Sequence, residues 1–463
     1  MRRWLPVALL AFAAVAGACA TSAVPPPTPT PTIAPTIAPT PTPSPPPGTP
    51  TPDPALLEHG GVALIEKAFR LIVDGYVRPV DPAPLLEAAW SGATETAAAA
   101  GASIPAAPAL PADAEGAWQA FRNAYVALVD GNPGLDTAEV RFAAIDRMAS
   151  SLQDCHTYFL RPVLAQVQEE TRHGSRGVGV GVEVLAAMPN VITEVYQNSP
   201  AERAGVRPGD RVLSVDGVDL STATRDAVVG ALRGPEGSEV TLVVRRPATA
   251  ETLTFRLRRA LVVPANVERR LLEGGVGYVR IRAFVAGGVH EDVRAALEAL
   301  DRAGAKAWIL DLRDNYGGEL DVGLPSLFIP SGPVVRVTYR EGGETWNADG
   351  SVLPFRKPMV LLVNGLTGSV SEAMAAALDE YDAAYLIGEP TFGCAGFTVE
   401  TPLGDGTTLA VTSGVIVGPV SGNSLAGGVR PDEYVARTFD DLAAGRDPQL
   451  DRAIAYLRSI AGP

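Results

Sequence analysis

The chain has 463 residues, 46% of them hydrophobic and 19% charged, with a formal charge of −14. That composition excludes a wholly disordered protein and gives room for two or three domains with real cores, while the acidic balance argues against a basic face for nucleic acid. Three cysteines exclude a disulfide-rich scaffold, and the one apolar run near membrane length sits at the N-terminus, which excludes a multispan membrane protein.

Residues 1–19 read as a signal peptide: a basic head (Arg2, Arg3), an apolar stretch from Trp4 to Val15, then Ala16-Gly17-Ala18-Cys19. A cysteine directly after small residues resembles a bacterial lipoprotein cleavage site, with Ala16 where Leu is usual. Lipidation of Cys19 would tether the mature chain outside the cytoplasm, on the outer face of a bacterial membrane. Plain secretion is the other reading. Cleavage removes two arginines and takes the formal charge from −14 to −16. Residues 20–54 are Pro- and Thr-rich and read as a disordered, extended spacer, able to hold the globular part up to about 100 Å from an anchor.

Residues 55–165 read as a helical N-terminal domain. Leu64, Ile65, Ala68, Phe69, Leu71 and Ile72 repeat at helical spacing, as do Phe142, Ala143, Ile145 and Met148. Ala97 to Ala112 reads as an Ala/Pro-rich loop. Residues 166–262 switch to short β-branched strands with turn punctuation. The run from Ser199 to Gly217, SPAERAGVRPGDRVLSVDG, resembles a PDZ domain. In such a domain the amides of a Gly-rich loop, here Gly179, Val180, Gly181 and Val182, capture a peptide's terminal carboxylate, and the adjoining strand edge pairs with the peptide. A small β-barrel without a ligand is the plainer alternative.

Residues 263–463 alternate strands with helices. Trp308–Leu312 and Met359–Val363 are continuous apolar runs, as expected of strands buried on both faces of a mostly parallel sheet. Ala373–Leu378 and Leu450–Leu457 read as helices. Between the strand ending at Val363 and the following helix lies Ser369. A hydroxyl there faces the unpaired amides of a helix start, which suits nucleophilic attack with oxyanion stabilisation. Serine is also an ordinary helix N-cap.

Ser369-Val370-Ser371-Glu372, Asp311-Leu312-Arg313-Asp314-Asn315-Tyr316-Gly317-Gly318 and Gly388-Glu389-Pro390-Thr391-Phe392-Gly393 together resemble the carboxyl-terminal processing peptidases, serine endopeptidases with an embedded PDZ domain. The resemblance covers nearly everything after the spacer. It implies an α+β multidomain fold with a ClpP/crotonase-like peptidase core and polypeptide substrates held by their C-terminal tails. It implies no cofactor. Ser369 falls on the family nucleophile, and Gly317 or Gly318 with the N–H of Val370 falls on the oxyanion-stabilising region.

One position departs from that pattern. The family's general base is a Lys in a T-F-G-K-G motif, and this chain reads Thr391-Phe392-Gly393-Cys394-Ala395-Gly396. A thiol accepts hydrogen bonds poorly. Lys67, Lys306 and Lys357 are the only lysines, and none lies in a matching motif. Histidine is the best base near neutral pH. His156, in Asp154-Cys155-His156-Thr157, matches an element that supplies the base in tricorn-like relatives and is structural in lysine-type ones, and both roles stay open. Asp432 or Glu433 is a weak candidate to orient it. Since the resemblance brings Cys155 and Cys394 to one cleft, a Cys155–Cys394 disulfide is a further expectation, credited with about 4–5 kcal/mol by chain entropy, against two buried free thiols. Two functions compete: a serine endopeptidase, and an inactive pseudo-peptidase that binds peptide C-termini. With four scattered histidines and no Cys/His cluster, no metal is expected.

Overall fold

The computed structural model describes residues 53–162, 177–184, 188–285 and 287–461. The signal peptide, Cys19 and all of the spacer before Asp53 lie outside the described residues. Among those described, no helix is long and apolar enough to cross a membrane.

Four helices, Val62–Gly75, Pro82–Ala99, Ala114–Asp130 and Thr137–Ser150, follow the apolar spacing of the N-terminal segment. Asp81, Asp113 and Asp136 cap the last three by accepting first-turn amides, and Pro82 stands where a missing N–H costs nothing. Helix Pro82–Ala99 runs into the expected Ala97–Ala112 loop, because Ala propagates a helix well until Gly101 turns the chain at φ +79°. Phe69, Trp118, Phe121 and Tyr125 stack in sequence at the centre.

This helical layer is stitched to the C-terminal part. Strand Tyr158–Leu160 pairs antiparallel with Thr408–Val417, Phe159 opposite Leu409. Leu403, Leu409 and Val411 complete the helical core, and the buried Arg141 and Asp405 pair at 3.0 Å. Arg340 closes the end of helix Val62–Gly75 by donating to the carbonyls of Val73 and Tyr76.

The PDZ-like part holds a four-stranded antiparallel sheet built on Arg211–Val215, Val218–Asp219, Glu239–Arg246 and Glu251–Arg258, and two short strand pairs, Gly177–Gly179 with Ala260–Val262 and Val182–Val184 with Ile192–Val195. Val180, Ile192, Val212, Val228, Leu242 and Leu257 form its core. It docks on the C-terminal part through charge. Arg282 donates to Glu194 and, at 2.8 Å, to Glu268, its guanidinium lying 5.0 Å over the Tyr196 ring; Arg280 pairs with Glu194 at 3.1 Å.

The C-terminal part carries a six-stranded sheet in the order Val267–Leu272, Val276–Ile281, Ala307–Asp311, Met359–Val363, Tyr385–Gly388, Glu433–Tyr434, antiparallel at the first pair and parallel thereafter. Every residue of Ala307–Asp311 and Met359–Val363 is buried, as their unbroken apolar runs require. Helices His290–Arg302 and Val370–Glu380 cover one face and Pro448–Ala461 the other. The site lies where the parallel strands end.

Candidate active site

Two loops leaving adjacent strands are laced together. Asn364 accepts from the amide of Asp314 at 3.0 Å and donates to its carboxylate at 2.8 Å, while the Thr367 hydroxyl donates to the Leu312 carbonyl at 2.9 Å. The Gly368 amide donates to the Asn315 carbonyl at 3.0 Å. Ser369 follows, at the end of the strand-to-helix connection and immediately before helix Val370–Glu380, at φ +55° and ψ −121°. A serine at positive φ is strained, and such strain survives only where the surroundings fix it.

Glu372 supplies much of that fixing. Fully buried, its carboxylate accepts the amide of Ser369 at 3.1 Å, the Thr391 hydroxyl at 2.5 Å, and the amides of Gly393 and Cys394 at 2.7 and 2.9 Å. One side chain thus binds the serine turn to the Thr391–Cys394 loop. The sequence marks this role for Glu372 only through Ser369-x-x-Glu372, the spacing of a helix capping box.

Gly317 packs directly under the serine. A side chain there would come 2.8 Å from Ser369 Cβ and 3.0 Å from the Val370 nitrogen. The Gly317 amide donates to Asn315 Oδ1 at 2.9 Å. Of the amides proposed for an oxyanion, those of Gly318 and Val370 are the ones with no protein acceptor among the described residues, which removes Gly317 as a donor. Tyr316 and Phe392, each about half exposed (52%), flank Gly368.

Cys394 is buried, its carbonyl accepting the Ser369 amide at 3.0 Å. Its side chain is joined to Cys155 as a disulfide, with Cα atoms 6.3 Å apart. His156 Nδ1 lies 2.7 Å from Cys394 Sγ, and its ring covers Gly396, where a Cβ would stand 2.8 Å from Cγ and Nδ1. Asp154 holds the turn: its Oδ1 accepts the amides of His156 and Thr157 and the Thr412 hydroxyl, at 2.7 to 2.8 Å. Burial pushes the His156 imidazole below its ordinary range, and the Asp154 charge opposes only part of that.

The other candidates are engaged elsewhere. Lys67 donates to the carbonyls of Pro402 and Leu403, and Lys357 to Asp301 and Ala305. Asp432 accepts the Leu386 amide at 2.8 Å and Glu433 pairs with Arg452, at the far edge of the sheet. Neither orients His156. In the PDZ-like part, Val182 pairs with Val195, and Arg225 Nε donates to the Val184 carbonyl at 2.9 Å.

A strained serine at a strand-to-helix turn, with free amides beside it and a PDZ-like domain docked alongside, defines a serine peptidase of the PDZ-bearing kind. Peptidase family S41 matches residues 275–435, and a PDZ domain matches residues 191–246. The chain is 32% identical over 352 residues to a carboxyl-terminal-processing protease of Synechocystis, covering 73% of this chain and 81% of that one. It is 30% identical over 345 residues to a carboxy-terminal-processing protease of Bartonella bacilliformis, covering 72% and 76%. Among solved structures, a photosystem II D1 C-terminal processing protease matches with a TM-score of 0.54 and 25% identity, over 87% of this chain and 98% of that one. The chain belongs to the carboxyl-terminal processing proteases, hydrolases of the S41 serine peptidase family. The reading of an inactive pseudo-peptidase finds no support in these relatives.

Proposed function

We propose that the protein is an endopeptidase that cleaves extracytoplasmic proteins near their C-termini, with Ser369 as nucleophile and the PDZ domain holding the substrate tail through the Gly179–Val182 loop and the adjoining strand edge. Its site in the cell is outside the cytoplasm, and Cys19, if lipidated, anchors it to the membrane surface. The observation that carries the reading is Ser369 held at φ +55° on the strand-to-helix turn by the Glu372 carboxylate.

His156 takes the hydroxyl proton on Nε2, since Nδ1 faces the disulfide sulfur. Ser369 Oγ then bonds to the scissile carbonyl carbon. The Gly318 and Val370 amides bind the oxyanion. Collapse breaks the C–N bond, His156 returns its proton to the leaving amine, and water hydrolyses the acyl ester by the same base.

A fluorophosphonate probe and an unfolded protein substrate test this together. Labelling and turnover are expected in the wild type, neither in Ser369→Ala, and labelling slowed by about a hundredfold or more in His156→Ala. Full turnover in His156→Ala would remove the proton acceptor from the scheme.

A further inference from the structure

Three donors meet beside the cleft. The Sγ atoms of Cys155 and Cys394 and a ring nitrogen of His156 all lie within 4.8 Å of one another. Nδ1 stands 2.7 Å from Cys394 Sγ and 3.6 Å from Cys155 Sγ. Zinc holds sulfur at about 2.3 Å and imidazole nitrogen at about 2.0–2.1 Å, so its tetrahedral donors sit about 3.5–3.8 Å apart; Nδ1 and Cys155 Sγ already have that separation, and breaking the S–S bond frees Cys394 Sγ to move out to it. Cys394 is 6% exposed, and the bare backbone of Gly396 makes room for the imidazole. Cys155 is exposed, which gives a cation and water a way in.

We propose that once the Cys155–Cys394 bridge is reduced, Cys155, His156 and Cys394 bind a thiophilic divalent cation such as Zn²⁺ or Cd²⁺. The metal-bound and disulfide-bonded forms are then exclusive states of one site. A dithiol reductant passes two electrons and two protons to the bridge and becomes a disulfide itself, leaving two thiols. Metal binding releases those two thiol protons, and the two thiolates neutralise the dication, so no net charge enters the half-buried pocket. Three protein ligands leave a fourth position for water, the pattern of open rather than structural zinc sites.

The site bears on turnover through His156, and this step rests on the proposed role of that residue as proton acceptor. In the bridged form a sulfur, a weak acceptor, faces Nδ1, so the ring proton can sit there and leave the Nε2 lone pair for Ser369. A metal on Nδ1 obliges the neutral ring to keep its proton on Nε2, which then cannot accept another. Metal occupancy therefore stops catalysis.

Cd²⁺ titrated into the dithiol-reduced, desalted full chain tests the site, read by thiolate-to-cadmium charge-transfer absorption. One ion per chain is expected, with none in the disulfide-bonded protein. The band should fall by half or more in Cys155→Ser and Cys394→Ser, and the affinity at least tenfold in His156→Ala. No band in the reduced wild type, an equal band in the bridged protein, or an undiminished band in Cys394→Ser overturns the site. Wild-type protein in its two redox states suffices if the variants fold poorly. Equimolar Zn²⁺ should abolish turnover of the reduced enzyme, reversibly by chelator, and leave the bridged enzyme unaffected. Full turnover with metal bound overturns the coupling through His156 and leaves the absorption result standing, so the two failures are distinct.

Discussion

The carbonyl of Cys394 accepts the amide proton of Ser369 at 3.0 Å. The residue that stands in the place of the family's lysine is therefore fixed against Ser369 by backbone, while its side chain is turned into a disulfide with Cys155. A lysine placed on that backbone should reach the serine. The double variant Cys155→Ala, Cys394→Lys is expected to retain turnover on an unfolded substrate and to lose its sensitivity to His156→Ala. Turnover of that variant that still requires His156 would show that position 394 no longer addresses the hydroxyl.

Glu372→Gln should weaken both the fold and the reaction. The substitution puts an amide NH₂ where a carboxylate oxygen accepts, among three amides and a hydroxyl that all donate. Losing charge-assisted bonds in a fully buried site costs about 3 kcal/mol. Urea denaturation should report that loss, and kcat should fall at least about tenfold as the serine turn and the Thr391–Cys394 loop lose their common anchor.

Gly317→Ala separates geometry from stability. The backbone there has φ +98°, and the new methyl would stand 2.8 Å from both the Gly368 carbonyl and Ser369 Cβ. A strained φ alone costs on the order of 1–3 kcal/mol. The expected result is a folded protein with slow fluorophosphonate labelling. Labelling at the wild-type rate would show that the serine turn tolerates displacement.

The pH profile of the bridged enzyme should carry the mark of a buried imidazole. Burial lowers the His156 pKa from its ordinary value of about 6.5, against a smaller opposing pull from Asp154. The base acts when neutral, so kcat/KM should rise with pH through a midpoint below that value and stay level through neutrality. A midpoint well above 7 would point to a group other than His156.

Arg282 holds the PDZ domain to the peptidase core, and its removal leaves three carboxylates facing one another, with Arg280 still paired to Glu194. Glu194 and Glu268 lose direct partners, and burial beside Glu194 already raises the pKa of Glu183. Breaking a buried pair by deleting one partner costs about 3–5 kcal/mol. For Arg282→Ala, hydrogen exchange should speed up in strands Val182–Val184 and Ile192–Val195 before the Met359–Val363 strand responds. Uniform exchange across these strands would sink the idea of a local clamp.

What could be read from the chain was whatever is local. The apolar runs at Trp308–Leu312 and Met359–Val363 carry their burial in their own composition, and both are buried strands, the first beginning one residue earlier. Helix Val370–Glu380 starts three residues before the apolar spacing that announced it, because Ser369 and Glu372 begin it by capping rather than by hydrophobicity. The long-range pairings left no such trace. Thr412 grips Asp154 across 258 residues, and Arg282 grips Glu194 across 88. Polar residues of these kinds are ordinary surface choices until the fold makes them neighbours. The commitment of Gly317 to Asn315 is local, yet it depends on a side-chain rotamer that no spacing rule reports.

The bridge between Cys155 and Cys394 spans 239 positions and encloses the whole PDZ domain. A protease that nicks this enzyme anywhere from His156 to Gly393 would cut the polypeptide without parting it, since the two pieces remain covalently tied until the bridge is reduced. Damage to the PDZ domain would then be invisible on a non-reducing gel, and the nicked molecule would keep Ser369, its capping glutamate and its helical layer in one body.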